Sequence, residues 1–454
     1  METECLVKNN GVIKNAMKNL SIFGTHSDSG KSTLTWLIGR LLQEKGFSVA
    51  PFKAQNVSNN AKVCEDGSEI SIAQYFQAEV LGVTPSYHLN PILLKSGRGN
   101  LASLIVEGQV IKDKDVREYY RDLDFLKPSV ERCFEYVDSK YDCVICEGAG
   151  SPVELNLMDK DLSNIYISTK YKTKIILVAD IEKGGVFASI WGVYNLLPKE
   201  LRSNVIGVIV NKFRGDMSLF DEGIRIIEEE FKIPVLGILP YEPFNLGFED
   251  SASLMNFTQD CSGAKRKVAV IHYPYMSNYN DFEPLIADES ICLEFVSSNI
   301  SLEQFDLVIL PGSKLVIKDL EWLKKSGIFE QLKNRTKEIL GICGGYQMMF
   351  EKIIDKECIE VQNPICEDAL GFIDDEIVFQ KEKILRKKGE LFEIHHGISK
   401  KYPLEYKKGH IRGTFYHGIF HDENFLIHKD KTINNFVDKM RDKIDMKRIL
   451  KSVL

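Results

Sequence analysis

Two α/β domains in series are what this 454-residue sequence predicts, and three observations predict them. Short apolar runs alternate with helical patterns through the first half. A second series of the same kind begins after residue 266. Between them lies the polar, aperiodic stretch "EDSASLMNFTQDCSGAKRK" (249–267), which reads as a linker.

The first series offers strands at Leu20–Phe23, Ser48–Phe52, Cys143–Cys146, Lys174–Ala179, Val205–Val210 and Val235–Leu239. Several are apolar on both faces, as strands of a covered parallel sheet are. The expected architecture is a doubly wound parallel sheet over residues 18–249, with a linker at 250–266. The second series runs "KVAVIHY" (267–273), "DLVILPG" (306–312), "EILGICGG" (338–345) and "GTFYHGIFH" (413–421), giving a domain over 267–425. Residues 426–454 are charged with a helical pattern and read as a packing appendage. No heptads, repeats or low-complexity segments occur.

Composition narrows the class. Hydrophobic residues make up 44% and charged residues 27%, ordinary values for a globular protein. A net charge of −7 and a pI near 5.8 argue against a nucleic-acid binder. No apolar run is long enough to span a membrane. Ten cysteines are scattered from Cys5 to Cys366, and residues 1–19 lack the apolar core of a secretory signal. The expectation is a cytoplasmic protein with reduced thiols. Nothing in the sequence sets an oligomeric state.

"FGTHSDSGKST" (23–33) follows the first strand and precedes the amphipathic "LTWLIGRLLQEKG". Strand, small-residue loop and helix N-terminus together point backbone amides at a phosphate. Gly24, Thr25, Asp28, Gly30, Lys31, Ser32 and Thr33 are the candidate nucleotide contacts, with Lys31 bridging phosphates and Ser32 on Mg²⁺. Gly24 stands six residues before Gly30, where the commonest form of the loop has five. This spacing resembles dethiobiotin synthetase and its relatives. Partition and cell-division ATPases carry an extra early lysine where Thr25 and His26 stand here.

A carboxylate directly after a buried strand is well placed for Mg²⁺, which selects Glu147 in "CVICEGAGSPVELNL" (143–157). Ser32, Glu147 and Glu69 form the candidate metal set. Asn211 in "NKFRGD" is the candidate for reading the adenine edge, and Lys53 in "APFKAQNVSNN" for steadying a transferred phosphoryl group. Taken together, "PFKAQN", "DGSEISIAQ", "NPILLK", "EGAGSPVELNL", "ADIEKGGVFASI" and "NKFRGD" resemble the synthetase half of the cobyric acid synthase family across most of residues 20–250.

In "LGICGGYQMM" (340–349), Cys343 sits between a strand and a helix with Gly341 and Gly345 two residues to either side. This has the logic of a nucleophile elbow, in which small neighbours permit a strained turn. A thiolate nucleophile needs a base, usually His. Spacing does not choose among His272, His395, His396, His410, His417, His421 and His428. The resemblance does: "GTFYHGIF" is similar to a segment of class I glutamine amidotransferase domains, which have a flavodoxin-like α/β fold, and it assigns His417. Many of those domains have a glutamate two residues later; position 419 is Ile here, so a Cys–His pair is expected rather than a triad. Gly312 and Ser313 in "LPGSK" and Gly344 are the candidate oxyanion donors. Cys143 and Cys146 form a CxxC on a strand, where they point to opposite faces and suit no zinc site. One histidine of "FEIHHGIS" is expected to be structural or to face substrate, and "LRKKGE" (385–390) to be a solvated face.

The resemblance implies an ATP- and Mg²⁺-dependent ligase. It would use ammonia from glutamine to amidate four carboxylates of a corrinoid, adenosylcobyrinic acid a,c-diamide. Alternatives are the a,c-diamide synthase, whose family has an "FK-x-GPDYID" segment where "FKAQNVSNN" stands here, and a related amidoligase acting on another polycarboxylate. A P-loop scaffold carrying a non-catalytic second domain is the alternative from a different class. Two departures from the family pattern fall near Tyr275 and Met276 and in a short loop after Lys95.

Overall fold

The computed structural model describes residues 17–96, 101–115, 119, 123–244, 246, 247, 259 and 261–454. Most of the expected linker and the loop 97–100 lie outside them. All six strands expected in the first half form one parallel sheet, in the order Val235–Pro240, Val205–Phe213, Lys174–Asp180, Leu20–Gly24, Cys143–Glu147, Val49–Phe52. Alternating side chains feed two cores. Leu20, Ile22, Ile176 and Val178 enter one; Phe23, Ile175, Leu177 and Ala179 enter the other. Burial on both faces is why these runs are continuously apolar.

The phosphate loop leaves the centre of this sheet at Gly24 and enters the helix Lys31–Gln43. That placement is the carboxyl edge where open α/β sheets hold ligands. The expected "NPILLK" element is a strand, Ile92–Ser96, in a side sheet with Gln55–Val57, Leu101–Val106 and Gln109–Asp115.

The second half also has a six-stranded sheet, ordered Ile291–Val296, Arg266–Ile271, Leu307–Leu310, Glu338–Ile342, Ile411–Thr414, Glu405–Lys408, with only the last strand antiparallel. A four-stranded sheet beside it contains the long hairpin Ile373–Lys388 and Leu391–Ile398. "LRKKGE", expected as a solvated face, is the tip of this hairpin. It reaches the first half, pairing Lys387 with Glu65 at 2.6 Å and Glu390 with Lys62 at 3.3 Å. Below the tip, Ile394 packs on Ala61, Leu93 and Ile105.

The C-terminal appendage returns to the first domain. Helices Glu423–Arg441 and Met446–Val453 place Phe436, Val437, Met440, Ile449 and Val453 in its core, with Phe436 against Trp36 and Phe244. Lys18 N–H donates to the Val453 carbonyl at 2.8 Å.

One cysteine expectation fails. Cys261 and Cys292 form a disulfide, with Cα atoms 5.1 Å apart, that joins the end of the linker to the strand Ile291–Val296. The parallel pairing of Arg266–Ile271 with that strand brings the two sulfurs together, which scattered spacing could not reveal. Cys143 and Cys146 are buried in their strand. Among the described residues no helix is long and apolar enough to cross a membrane.

Candidate active sites

The phosphate loop carries Gly24, Thr25, Asp28, Gly30, Lys31, Ser32 and Thr33 together. Gly24 has no space for a side chain: a Cβ there would lie 2.5 Å from Ser29 Oγ and 2.8 Å from Lys31 Nζ. Gly30 has φ +100°, and a Cβ would meet the Asn211 amide at 2.2 Å. Lys31 Nζ curls back to the His26 carbonyl at 3.1 Å. The hydroxyls of Thr25 and Ser29 are buried with no hydrogen-bond partner. Unpaired buried donors cost stability unless an anion takes them, so the loop suits a phosphate. Asn211 gives its amide to the Ser29 carbonyl at 2.9 Å, so it braces the loop from behind. Lys212, at φ +60°, adds a second brace to the Asp28 carbonyl at 2.7 Å.

Glu147 is the hub of the first site. Its Oε1 accepts from Lys53 Nζ at 2.7 Å and Ser32 Oγ at 2.9 Å; its Oε2 accepts from Gln77 at 2.5 Å and Gln74 at 3.3 Å. Burial would raise its pKa, but Lys53 and the hydrogen bonds win and hold it below the ordinary carboxylate range. An ionised carboxylate touching a serine hydroxyl is a hard-oxygen set that fits Mg²⁺. Lys53 is fixed by its own backbone: its N–H donates to Leu89 O, and Asn90 Nδ2 donates to its carbonyl at 3.1 Å.

Glu69 does not join this set. It is fully buried between Lys95 and Lys383, the latter at 2.6 Å and contributed by the long hairpin. Burial opposes its charge, but the two lysines hold its carboxyl far below the usual range. Each carboxylate oxygen faces its own ammonium, so the group is neutralised without a metal. Nothing local to "DGSEIS" could signal a partner 314 residues away.

The second site is built on a strained turn. Cys343 has φ 49° and ψ −104°, a conformation that costs a non-glycine residue about 1–3 kcal/mol. Its neighbours hold it there. Cys343 N–H donates to Thr414 O at 2.8 Å, and Cys343 O accepts from Gln347 N–H at 3.0 Å. A Cβ on Gly345 would fall 2.0 Å from Leu310 O, and one on Gly344 2.6 Å from Ser313 N. This turn requires glycines on its helical side.

His417 reaches Cys343 from the segment after Ile411–Thr414. Phe392 stacks on its ring with centroids 5.0 Å apart, and a Cβ on Gly312 would sit 2.8 Å from its Cε1. The expected pair is a triad. Asp281 Oδ2 lies 2.6 Å from His417 Nδ1, and Asp281 Oδ1 accepts from Gly418 N–H at 2.9 Å. Both side chains are wholly buried. Burial pushes the imidazole pKa down, but Asp281 and then Cys343 outweigh it and raise it to about 10. The ring is thus held with Nδ1 toward Asp281 and Nε2 left without an ordinary hydrogen bond. Asp281 was missed because it lies 136 residues from His417, on the "YPYMSNYNDFEPL" segment rather than at position 419.

The strand pairing separates the candidate oxyanion donors. Met276–Ser277 and Gly312–Ser313 form an antiparallel pair. Lys314 N–H donates to Tyr275 O, so by alternation Gly312 bonds Ser277 and the Ser313 amide faces away from that ladder. Ser313 and Gly344 thus stay the candidate donors, while Gly312 gives room to His417. Asp319 fixes this strand, accepting from Ser313 Oγ at 2.5 Å and Tyr275 N–H at 3.0 Å. Burial pushes the Asp319 carboxyl up to about 7.

His395 and His396 have other partners. His395 stacks on Phe415 and bonds Gly397 O and Glu393; His396 bonds Gln380 O and is pushed down to about 3 by burial, with Lys383 and Lys314 nearby.

A phosphate loop with a buried carboxylate hub and a strained thiol with a His–Asp partner define a P-loop, glutamine-hydrolysing amidoligase. Residues 20–245 match the CobQ/CobB/MinD/ParA nucleotide binding domain and residues 267–425 the CobB/CobQ-like glutamine amidotransferase domain. The chain is 63% identical to the cobyric acid synthase of Acinetobacter baylyi, over 96% of this chain and 99% of that one. It is 38% identical to a probable cobyric acid synthase of Methanosphaera stadtmanae, covering 94% and 91%, and 35% identical to the cobyric acid synthase of Clostridium kluyveri, covering 95% and 98%. The chain belongs to the cobyric acid synthase family.

Proposed function

We propose that the chain converts adenosylcobyrinic acid a,c-diamide to adenosylcobyric acid. It amidates the b, d, e and g carboxylates with ATP and with ammonia drawn from glutamine. The observation that carries this reading is the presence of both sites in one chain that matches cobyric acid synthases along nearly its whole length.

A carboxylate oxygen is a poor leaving group, so ammonia does not condense with it directly. Transfer of the ATP γ-phosphoryl gives an acyl phosphate, and ammonia then displaces phosphate. Gly24 to Thr33 cradle the nucleotide phosphates, and Lys31 and Lys53 offset charge on the moving phosphoryl. Ser32 and Glu147 would hold Mg²⁺, which supplies electrostatic stabilisation of the phosphate oxygens when bound.

In the second site the Cys343 sulfur attacks the side-chain amide carbon of glutamine. Ser313 and Gly344 amides receive the oxyanion. His417 passes a proton to the departing nitrogen, leaving ammonia and a glutamyl thioester. Water then attacks the thioester with His417 as base, releasing glutamate and restoring the thiol. Asp281 keeps the His417 tautomer and steadies its charged form.

ATP and glutamine are both abundant in the cytoplasm, which supports a cytoplasmic reaction. The test is mass spectrometry of the product after incubation with the diamide, ATP, Mg²⁺ and glutamine. Four successive steps are expected, each replacing a hydroxyl by an amino group. ATP hydrolysis with no change in corrinoid mass would reject the substrate and favour another polycarboxylate.

A further inference from the structure

The two sites are linked by a run of hydrogen bonds and intervening chain that crosses between the domains at Asn60, Ala61 and Asn278. It begins at Glu147, which holds Gln74 and Gln77 of the helix Ile72–Val80. The first residue of that helix, Ile72, donates its N–H to the Asn60 carbonyl at 3.1 Å. Asn60 Oδ1 accepts from Asn278 N–H at 2.6 Å, and Asn278 Nδ2 donates to Ala61 O at 3.1 Å. The Asn278 carbonyl in turn accepts from Asp281 N–H at 3.1 Å. Asp281 holds His417, and His417 faces Cys343.

The geometry of Asn278 is special. It has φ 59°, a left-handed position that asparagine tolerates better than most residues, and it starts the short turn Tyr279–Phe282 that carries Asp281. It also directly follows Met276–Ser277, the strand that orders the oxyanion segment. Both asparagines are buried, each 3% exposed. The Asn60 segment begins seven residues earlier at Lys53, whose ammonium sits on Glu147.

We propose that Asn60 and Asn278 are positioning residues that couple the two reactions. Their bonds seat the Asp281 turn, so His417 is oriented for glutamine hydrolysis only when the Lys53–Asn60 segment of the synthetase domain is in place. Hydrolysis is thereby tied to the state of the phosphoryl site, and ammonia is not released idly. This rests on the glutamine-hydrolysing role proposed above, but not on the identity of the corrinoid.

The test compares the full-length enzyme with Asn60→Ala, Asn278→Ala and Asn278→Gly. Three quantities are measured: glutamine hydrolysis with and without ATP and Mg²⁺, the pH profile of Cys343 alkylation by an electrophilic glutamine analogue, and amidation driven by added ammonia. In Asn278→Ala and Asn60→Ala, glutamine hydrolysis and Cys343 alkylation should each fall about tenfold, the scale of one or two lost buried hydrogen bonds. The alkylation profile should shift along the pH axis, and stimulation by ATP should vanish. Ammonia-driven amidation should stay within about twofold, because the substitutions leave the Asn60 carbonyl on Ile72 N–H and the bonds of Glu147 in place. Asn278→Gly keeps the left-handed turn and should fall less; it decides the matter by the same readouts should Asn278→Ala not fold.

Unchanged hydrolysis and unchanged ATP stimulation would overturn the proposal. So would a parallel loss of ammonia-driven activity, which would mark a merely structural role. If wild-type enzyme hydrolyses glutamine but leaves the corrinoid untouched, the substrate assignment fails while hydrolysis and alkylation still judge the coupling. Thermal unfolding then replaces amidation as the control for folding.

Discussion

The two sites of this chain are prepared in opposite ways. At Cys343 the groups are already held in place: a strained turn, a buried His417 fixed by Asp281, and Ser313 packed close to Gly344. At Lys31 the groups are occupied with one another: Lys31 on His26 O, Lys53 and Ser32 on Glu147, Asn211 on the loop. Glutamine is small, neutral and attacked covalently, so a rigid site suits it. Triphosphate brings its own large charge, and a loop with internal partners can exchange them for phosphate oxygens. The difference teaches that a nucleophile is built into the fold, whereas an anion site is held in trust by internal ion pairs.

The largest effect should separate the sites completely. Cys343→Ala removes the nucleophile and should lower glutamine-dependent amidation at least about 10³-fold while added ammonia restores product. Lys31→Ala should abolish both routes, because each needs the acyl phosphate. If Cys343→Ala also lost the ammonia route, the two sites would not be separable chemically.

Next, Asp281→Asn should cut glutamine hydrolysis by about 10²–10⁴, the range of a positioned proton carrier. Its imidazole would lose the partner that outweighs burial, so the His417 titration should move to lower pH, read as an earlier fall of the alkaline limb of the alkylation profile. A loss below about tenfold would return the site to a Cys–His pair.

Gly344→Ala tests the rigid site through crowding alone. A Cβ 2.6 Å from Ser313 N displaces an oxyanion donor, and hydrolysis should fall about 10²–10³-fold with little change in KM.

The smallest effect concerns stability. The buried Asp319 carboxyl titrates near 7 in the fold and near 3.8 when unfolded, so the fold binds an extra proton between those values. Stability from this group is present below about pH 4 and is lost as pH rises through 7. Asp319→Asn should therefore raise Tm by about 2–4 °C at pH 8 and give no gain at pH 4.

Local signals made part of this readable in the sequence. Six strands, the phosphate loop and the Cys343 elbow each reside in about a dozen consecutive residues, where periodicity and glycine spacing carry the information. What escaped was set by tertiary convergence. Asp281 meets His417 across 136 residues, and Glu69 finds Lys383 across 314. Cys261 and Cys292 are joined only because two parallel strands set them side by side. The Gly312 and Ser313 amides could be told apart only once the hydrogen-bond alternation of a two-residue ladder was known.

The return of the C-terminal helices has a consequence for how the chain is made. Trp36 and Phe76 emerge early from the ribosome, yet Phe436, Val437 and Met440, which cover that part of the core, come more than three hundred residues later. The amidotransferase unit, contiguous in sequence, can close while the nucleotide unit still waits for its last two helices. The domain begun earlier is completed after the one that follows it, and its aromatic face lacks its cover for more than three hundred residues of synthesis.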